Sequence, residues 1–188
     1  MFSGNGTDFQ ALIDGQRDGK YDGKIVVAVT SNGSAYGIER ARQAGIPCYV
    51  CRKADYESEA ERDRTIAGIF QKFDVQLVVL AGYLGILTAP LLEKFPRAII
   101  NIHPALLPKF GGKGMFGLNV HTAVIKAGEK KSGATVHYVD GGTDTGEIIM
   151  QRALDVLETD TPETLQKRIL DEIEHPLLVE AVAKLCGT

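Results

Sequence analysis

Short apolar runs alternate with amphipathic stretches along most of this chain, and that alternation restricts its fold more than any other feature. Residues 25–29, 46–50, 75–81 and 98–100 read as strands. Between them, residues 36–44, 57–73 and 90–95 read as helices. In the second of these, Ile66, Ile69, Phe70 and Phe73 recur at i, i+3, i+4 and i+7, which gathers them on one face. Strands with continuous apolar side chains are buried on both faces. The alternation therefore predicts an α/β architecture, a mostly parallel open sheet covered by helices on both sides. A length of 188 residues suits a single domain, residues 1–188.

The texture changes after residue 110. Residues 110–117 form a glycine-dense loop, residues 120–127 a helix, and residues 134–139 and 147–153 two further strands. Thr161 reads as an N-cap with Pro162 at the first helical position, and the last helix breaks near Pro176. At the other end, residues 3–8 are a glycine turn, and Thr7-Asp-Phe-Gln10 has the letters of a capping box. Such a turn normally follows a strand. Only Met1 and Phe2 precede it, so either the first strand is truncated to a stub or the chain is an incomplete copy of a longer one.

Charge and cysteine content remove several function classes. Lys+Arg is 21 against Asp+Glu 24, a net charge of −3, which is no footprint for nucleic acid. No run is long enough to span a bilayer and no signal peptide is visible, so neither membrane nor export is expected. The 3 cysteines are sparse and odd in number, which points to reduced thiols and a cytoplasmic location. Cys48-Tyr-Val-Cys51 lies in a strand-like run, where a separation of three puts the sulfurs on opposite faces; these cysteines read as structural. The charge run at residues 57–64 reads as mostly a solvated helix face. No histidine pair has metal-ligand spacing, so no metal is expected.

Three stretches could carry chemistry. The glycine turn opens a helix whose free N–H groups could hold a phosphate, or it is a plain turn. In Asn101-Ile-His103-Pro104, strand period puts the amide and the ring on one side. Pro104 disfavours helix at His103, so the extended backbone should persist to that point. The pair would then project beyond the carboxyl end of a strand, where open α/β sheets bind ligands; a hydrogen-bonded loop histidine is the alternative. The turn Asp140-Gly-Gly-Thr-Asp144-Thr-Gly146 is either a tight turn alone or a device that brings a carboxylate to His103.

Together these residues resemble the formyltransferase family that uses 10-formyltetrahydrofolate. The resemblance rests on Ser3-Gly-Asn-Gly-Thr7, Gly37-Ile-Glu-Arg-Ala-Arg-Gln-Ala-Gly45, Leu80-Ala-Gly-Tyr-Leu-Gly-Ile-Leu87, Asn101-Ile-His-Pro-Ala-Leu-Leu-Pro108 and Gly133-Ala-Thr-Val-His-Tyr-Val139, with Asp144-x-Gly146, in the family's order. It implies the family's Rossmann-like formyltransferase fold. It also implies transfer of a formyl group from 10-formyltetrahydrofolate, the co-substrate, to the amine of a phosphoribosylglycinamide in purine biosynthesis.

The implied catalytic residues are Asn101, His103 and Asp144. Gly6, Thr7, Asp8 and Glu174 would bind the ribotide, with Glu172 an alternative to Glu174. Leu84, Gly85, Ile86 and Leu87 would line the folate pocket with Asp140, Gly141, Gly142 and Thr143. Small-molecule substrates, no metal and a monomer or weak homodimer complete the expectation. Asp8 and Gly85 stand where the family often has asparagine and arginine. Other readings are a formyltransferase acting on a sugar nucleotide, a formyltetrahydrofolate hydrolase, and a non-catalytic ribotide-binding module.

Overall fold

The computed structural model describes residues 1–187. Its elements run α1 (Thr7–Arg17), β1 (Ala28–Thr30), α2 (Gly37–Gln43), β2 (Cys48–Val50), α3 (Glu59–Lys72), β3 (Val78–Leu80) and α4 (Ala89–Leu92). They continue with β4 (Ile99–His103), α5 (Leu118–Lys126), β5 (Lys131–Tyr138), β6 (Ile148–Asp155), α6 (Pro162–Ile169) and α7 (His175–Cys186).

The sheet is mixed. β1 pairs parallel with β2 and β3 parallel with β4, while β4–β5 and β5–β6 are antiparallel. The antiparallel half departs from the parallel expectation: no helix separates β5 from β6, so the chain returns by a turn. Period two divides the core along β4. Ile99 packs into one apolar cluster with Ile66 and Phe70 of α3, whereas Ile100 and Ile102 pack into another with Leu165, Ile169 and Leu178. Helices thus cover both faces.

Met1 and Phe2 join the two halves. Phe2 donates its N–H to Val29 O at 3.1 Å, and the amino group of Met1 donates to Val79 O at 2.6 Å. This stub occupies the central position between β1 and β3. Ahead of it lies a cavity of ≈ 180 Å³ lined by Ile25, Val27, Val75 and Leu77. The strands expected at residues 25–29 and 75–81 accordingly shorten to β1 and β3, because their first halves flank this slot instead of a neighbouring strand. Burial pushes the Met1 amino group down to about 5.

Helix ends follow local chemistry. The Thr161 cap forms, with its hydroxyl accepting from Thr164 N–H and the reciprocal bond present. The capping box expected at Thr7 does not form. Gly6 is the N-cap, at φ 72, with no side-chain bond, and Thr7 is already helical. The break near Pro176 takes the form of a π-helical turn, Leu170–Glu174, with Pro176 in the first turn of α7.

Candidate active site

β4 carries its extended backbone through His103, as the proline at 104 requires. The site grows from there. Asn101 lies opposite His137, and His103 opposite Thr135, in the antiparallel β4–β5 ladder. Asn101 Nδ2 sits 3.2 Å from His137 Nε2, and His137 Nδ1 sits 2.8 Å from the Tyr138 carbonyl. A carbonyl only accepts, so His137 carries a hydrogen on Nδ1; in the neutral ring Nε2 accepts from the carboxamide, and in the protonated ring Nε2 donates towards Asp144 instead. With the ring neutral, one hydrogen of the Asn101 amide is held, and the other is left for a ligand.

Asp144 reaches the same point from the turn after β5. Its Oδ2 lies 3.5 Å from His103 Nδ1, and its Oδ1 lies 3.6 Å from His137 Nε2. The backbone at Asp144 is left-handed, at φ 58, which aspartate tolerates better than most residues. Gly112 N–H donates to Oδ2 at 2.9 Å. At Gly111 an added Cβ would stand 2.5 Å from the Leu107 side chain and 3.3 Å from Asp144, so a larger residue there would have to displace Leu107. Burial alone would raise the Asp144 pKa; the His137 ring, the Gly112 amide and the charge of His103 outweigh it and hold the carboxyl below its usual value.

His103 is buried, at 4 % exposure, and its Nε2 lies 2.8 Å from the carbonyl of Phe110, so that nitrogen donates to the glycine-rich loop. Close by, His121 on α5 is fully buried with neither ring nitrogen bonded. Burial, with the charge of His103 adding to it, pushes His121 down to about 4. The Phe110 carbonyl and the Gly112 amide are members of this cluster that sequence reasoning did not single out, and His137, read there as a structural strand residue packing near the site, bonds directly to Asn101. His137 had a usable signal, the strand period that sets Thr135, His137 and Val139 on one face. Its position opposite Asn101 needed the antiparallel register.

A second buried cluster forms where α1 meets the π turn. Gly6, Thr7 and Asp8 stand at the start of α1. Asp8 is 7 % exposed, and its Oδ1 lies 3.7 Å from His175 Nε2; neither atom has a hydrogen-bond partner. Glu174 is equally buried, while Glu172 faces solvent 3.5 Å from Arg168. The π turn is what rotates Glu174 inward. Burial raises Glu174 well above the usual carboxylate range, and the charge of Asp8 adds to the shift. Burial raises Asp8 as well, against the opposing charge of His175.

The remaining predicted residues lie on two loops. Leu84 and Ile86 project into solvent at 64 % and 66 % exposure, whereas Leu87 turns inward. Gly85 crosses the Tyr83 ring so closely that a Cβ would meet it at 2.6 Å. In the other loop, Asp140 accepts from Gly142 N–H at 2.9 Å and from the Thr145 hydroxyl at 2.7 Å, so residues 140–143 form a self-bonded turn. The helix face at residues 57–64 is not uniformly solvated: Arg62 and Asp63 are buried, at 2 % and 0 %. Charge density alone does not reveal this, because their partners lie on a distant loop.

An α/β sheet ending in an amide, two histidines and a carboxylate is a frame for acyl chemistry, and residues 1–182 match the sequence profile of the formyl transferase family. The chain belongs to that family. It is 44% identical over 185 residues to a chloroplastic phosphoribosylglycinamide formyltransferase of Arabidopsis thaliana, covering 98% of this chain and 63% of that protein. It is 37% identical over 185 residues to the phosphoribosylglycinamide formyltransferase of Bacillus subtilis, covering 98% and 92%. The crystal structure of glycinamide ribonucleotide transformylase 1 from Symbiobacterium toebii superposes with a TM-score of 0.90 at 43% identity, covering 96% of this chain and 82% of that one. The chain spans only 63% and 59% of the two plant proteins it matches. Among the described residues no helix is long and apolar enough to cross a membrane.

Proposed function

We propose that this chain transfers the formyl group of 10-formyltetrahydrofolate to the amine of 5′-phosphoribosylglycinamide, a step of purine biosynthesis. The observation that carries the reading is the meeting of Asn101, His103 and Asp144, with 3.5 Å between the ring and the carboxylate. The amine attacks the formyl carbon, and the carbonyl oxygen becomes a tetrahedral oxyanion. The free hydrogen of the Asn101 carboxamide and a ring hydrogen of His103 donate to it. Loss of one such donor commonly costs about 10²–10³ in rate.

Asp144 orients His103 and stabilises positive charge on the ring. The intermediate then collapses, the bond to the folate nitrogen breaks, and that nitrogen takes a proton relayed from the attacking amine. Because His103 Nε2 donates to Phe110 O, withdrawal of the glycine-rich loop frees that hydrogen for substrate. The start of α1, at Gly6, Thr7 and Asp8, receives the ribotide phosphate on its N–H groups. Glu174 accepts from the ribotide's hydroxyls. Leu84–Leu87 and Asp140–Thr143 hold the folate ring.

Release of tetrahydrofolate from 10-formyltetrahydrofolate, measured with and without the ribotide, tests this reading. Ribotide-dependent release supports it. Ribotide-independent release makes the chain a hydrolase, and ribotide binding without release makes it a binding module.

A further inference from the structure

We infer that Arg62 and Asp63 are positioning residues for the folate co-substrate: together they clamp the loop at residues 84–88 in its ligand-receiving shape. The inference rests on the function proposed above. Residues at i and i+1 of a helix do not ordinarily face each other. Here both side chains bend inward from α3 to the same loop. Asp63 Oδ1 accepts from Arg62 Nε at 2.9 Å and from a terminal guanidinium nitrogen at 2.7 Å. That terminal nitrogen also donates to Ile86 O at 2.7 Å. The second carboxylate oxygen accepts from Thr88 N–H at 2.6 Å and from its hydroxyl at 2.7 Å.

The clamp explains the odd surface beside it. Thr88 is the N-cap of α4 and makes no side-chain cap bond; its hydroxyl donates to Asp63. At the loop's other end, Leu84 N–H donates to Ser3 Oγ at 2.9 Å. Between these anchors Leu84 and Ile86 are held out in water, two aliphatic side chains on one short loop. Among the described residues, no acceptor is bonded to the amides of Gly85, Ile86 and Leu87. Two exposed aliphatic side chains beside a row of free amides suit a flat heteroaromatic ring with polar edges. Replacing a buried ion pair by apolar residues is often neutral or stabilising, so a pair that also bonds a loop backbone points to positioning more than to stability.

The test compares wild type with Arg62→Lys and Thr88→Val. Lysine keeps the charge but lacks the fork that bonds Asp63 and Ile86 together. Valine keeps the shape of threonine and removes one bond to Asp63. Expected are a rise of about tenfold in KM for 10-formyltetrahydrofolate, the loss of roughly one charge-assisted bond, with kcat and ribotide KM within about twofold. Amide exchange at residues 84–88 should quicken while the rest of the sheet keeps its protection. Unchanged exchange in that segment overturns the clamp, whatever the activity. Faster exchange with an unchanged folate KM overturns the link to the co-substrate, as does a kcat loss alone. If wild type transfers no formyl group, the functional reading fails with the folate link that rests on it, and exchange alone then decides whether the clamp exists. Should Arg62→Lys not fold, Thr88→Val carries the same readouts.

Discussion

The molecule contains two buried clusters of carboxyl and imidazole groups, and they are finished to different degrees. Around His103 the groups that meet at the ring have protein partners, through His137 and the Tyr138 carbonyl, Phe110 and the ring, and Gly112 and Asp144, while the neighbouring His121 ring is left unbonded. Around Asp8 the opposite holds. Asp8 Oδ1 and His175 Nε2 are unbonded, and Glu174 shares the space with a second carboxyl. Buried polar groups that are fully bonded fix a geometry; those left unbonded raise the free energy of the fold. On the proposed function, the first cluster does chemistry with groups whose positions are largely settled. The second would receive the ribotide on the proposed function, and its unbonded groups carry a cost in stability.

The largest effect belongs to the bonded cluster. His103→Ala should lower kcat by about 10²–10⁴. The same variant should lose no more than about 2 kcal/mol of unfolding free energy in urea titrations. A loss confined to stability would erase the distinction between the clusters.

Next comes Glu174→Gln. The folded-state pKa of Glu174 is raised, so the native state holds a proton that the unfolded chain gives up. This contribution to stability is present below the ordinary glutamate pKa and fades as pH rises towards the folded-state value. The variant should gain about 1–3 kcal/mol over wild type at pH 8, and little at pH 4. Urea midpoints at the two pH values check this. A gain of equal size at both would show that the carboxyl is not strained.

Asp8→Asn should act in the same direction but less, about 1 kcal/mol, because His175 opposes the shift. With Glu174→Gln already in place its effect should shrink, since the charge of Asp8 is one of the causes that raise Glu174. Its KM for the ribotide should fall a few-fold, because a carboxylate beside a phosphate repels it. An additive pair of substitutions would mean that the two groups do not interact.

Legibility followed how local each cause was. The Thr161 cap, the α3 face through Ile66 and Phe70, and the extended run into His103 depend on neighbours within a few residues, and the sequence displayed all of them. Motif order also carried the approach of Asp144 to His103, which spacing alone left open. What escaped was long-range. His137 meets Asn101 only because β5 runs antiparallel to β4, and the strand pattern there did not give direction. Arg62 and Asp63 looked like surface charges because their partners, Ile86 and Thr88, sit on another element. The failed cap at Thr7 has a backbone cause, the left-handed Gly6, which begins the helix one residue early.

Turnover of Asp144→Asn bears most directly on the central claim, that the carboxylate meeting His103 and Asn101 serves formyl transfer. Asparagine keeps the shape and the Gly112 bond while removing the charge. Ribotide-dependent release of tetrahydrofolate should fall at least about a hundredfold, with both KM values and the urea midpoint close to wild type. Turnover within about threefold of wild type, in a folded protein, would contradict the account.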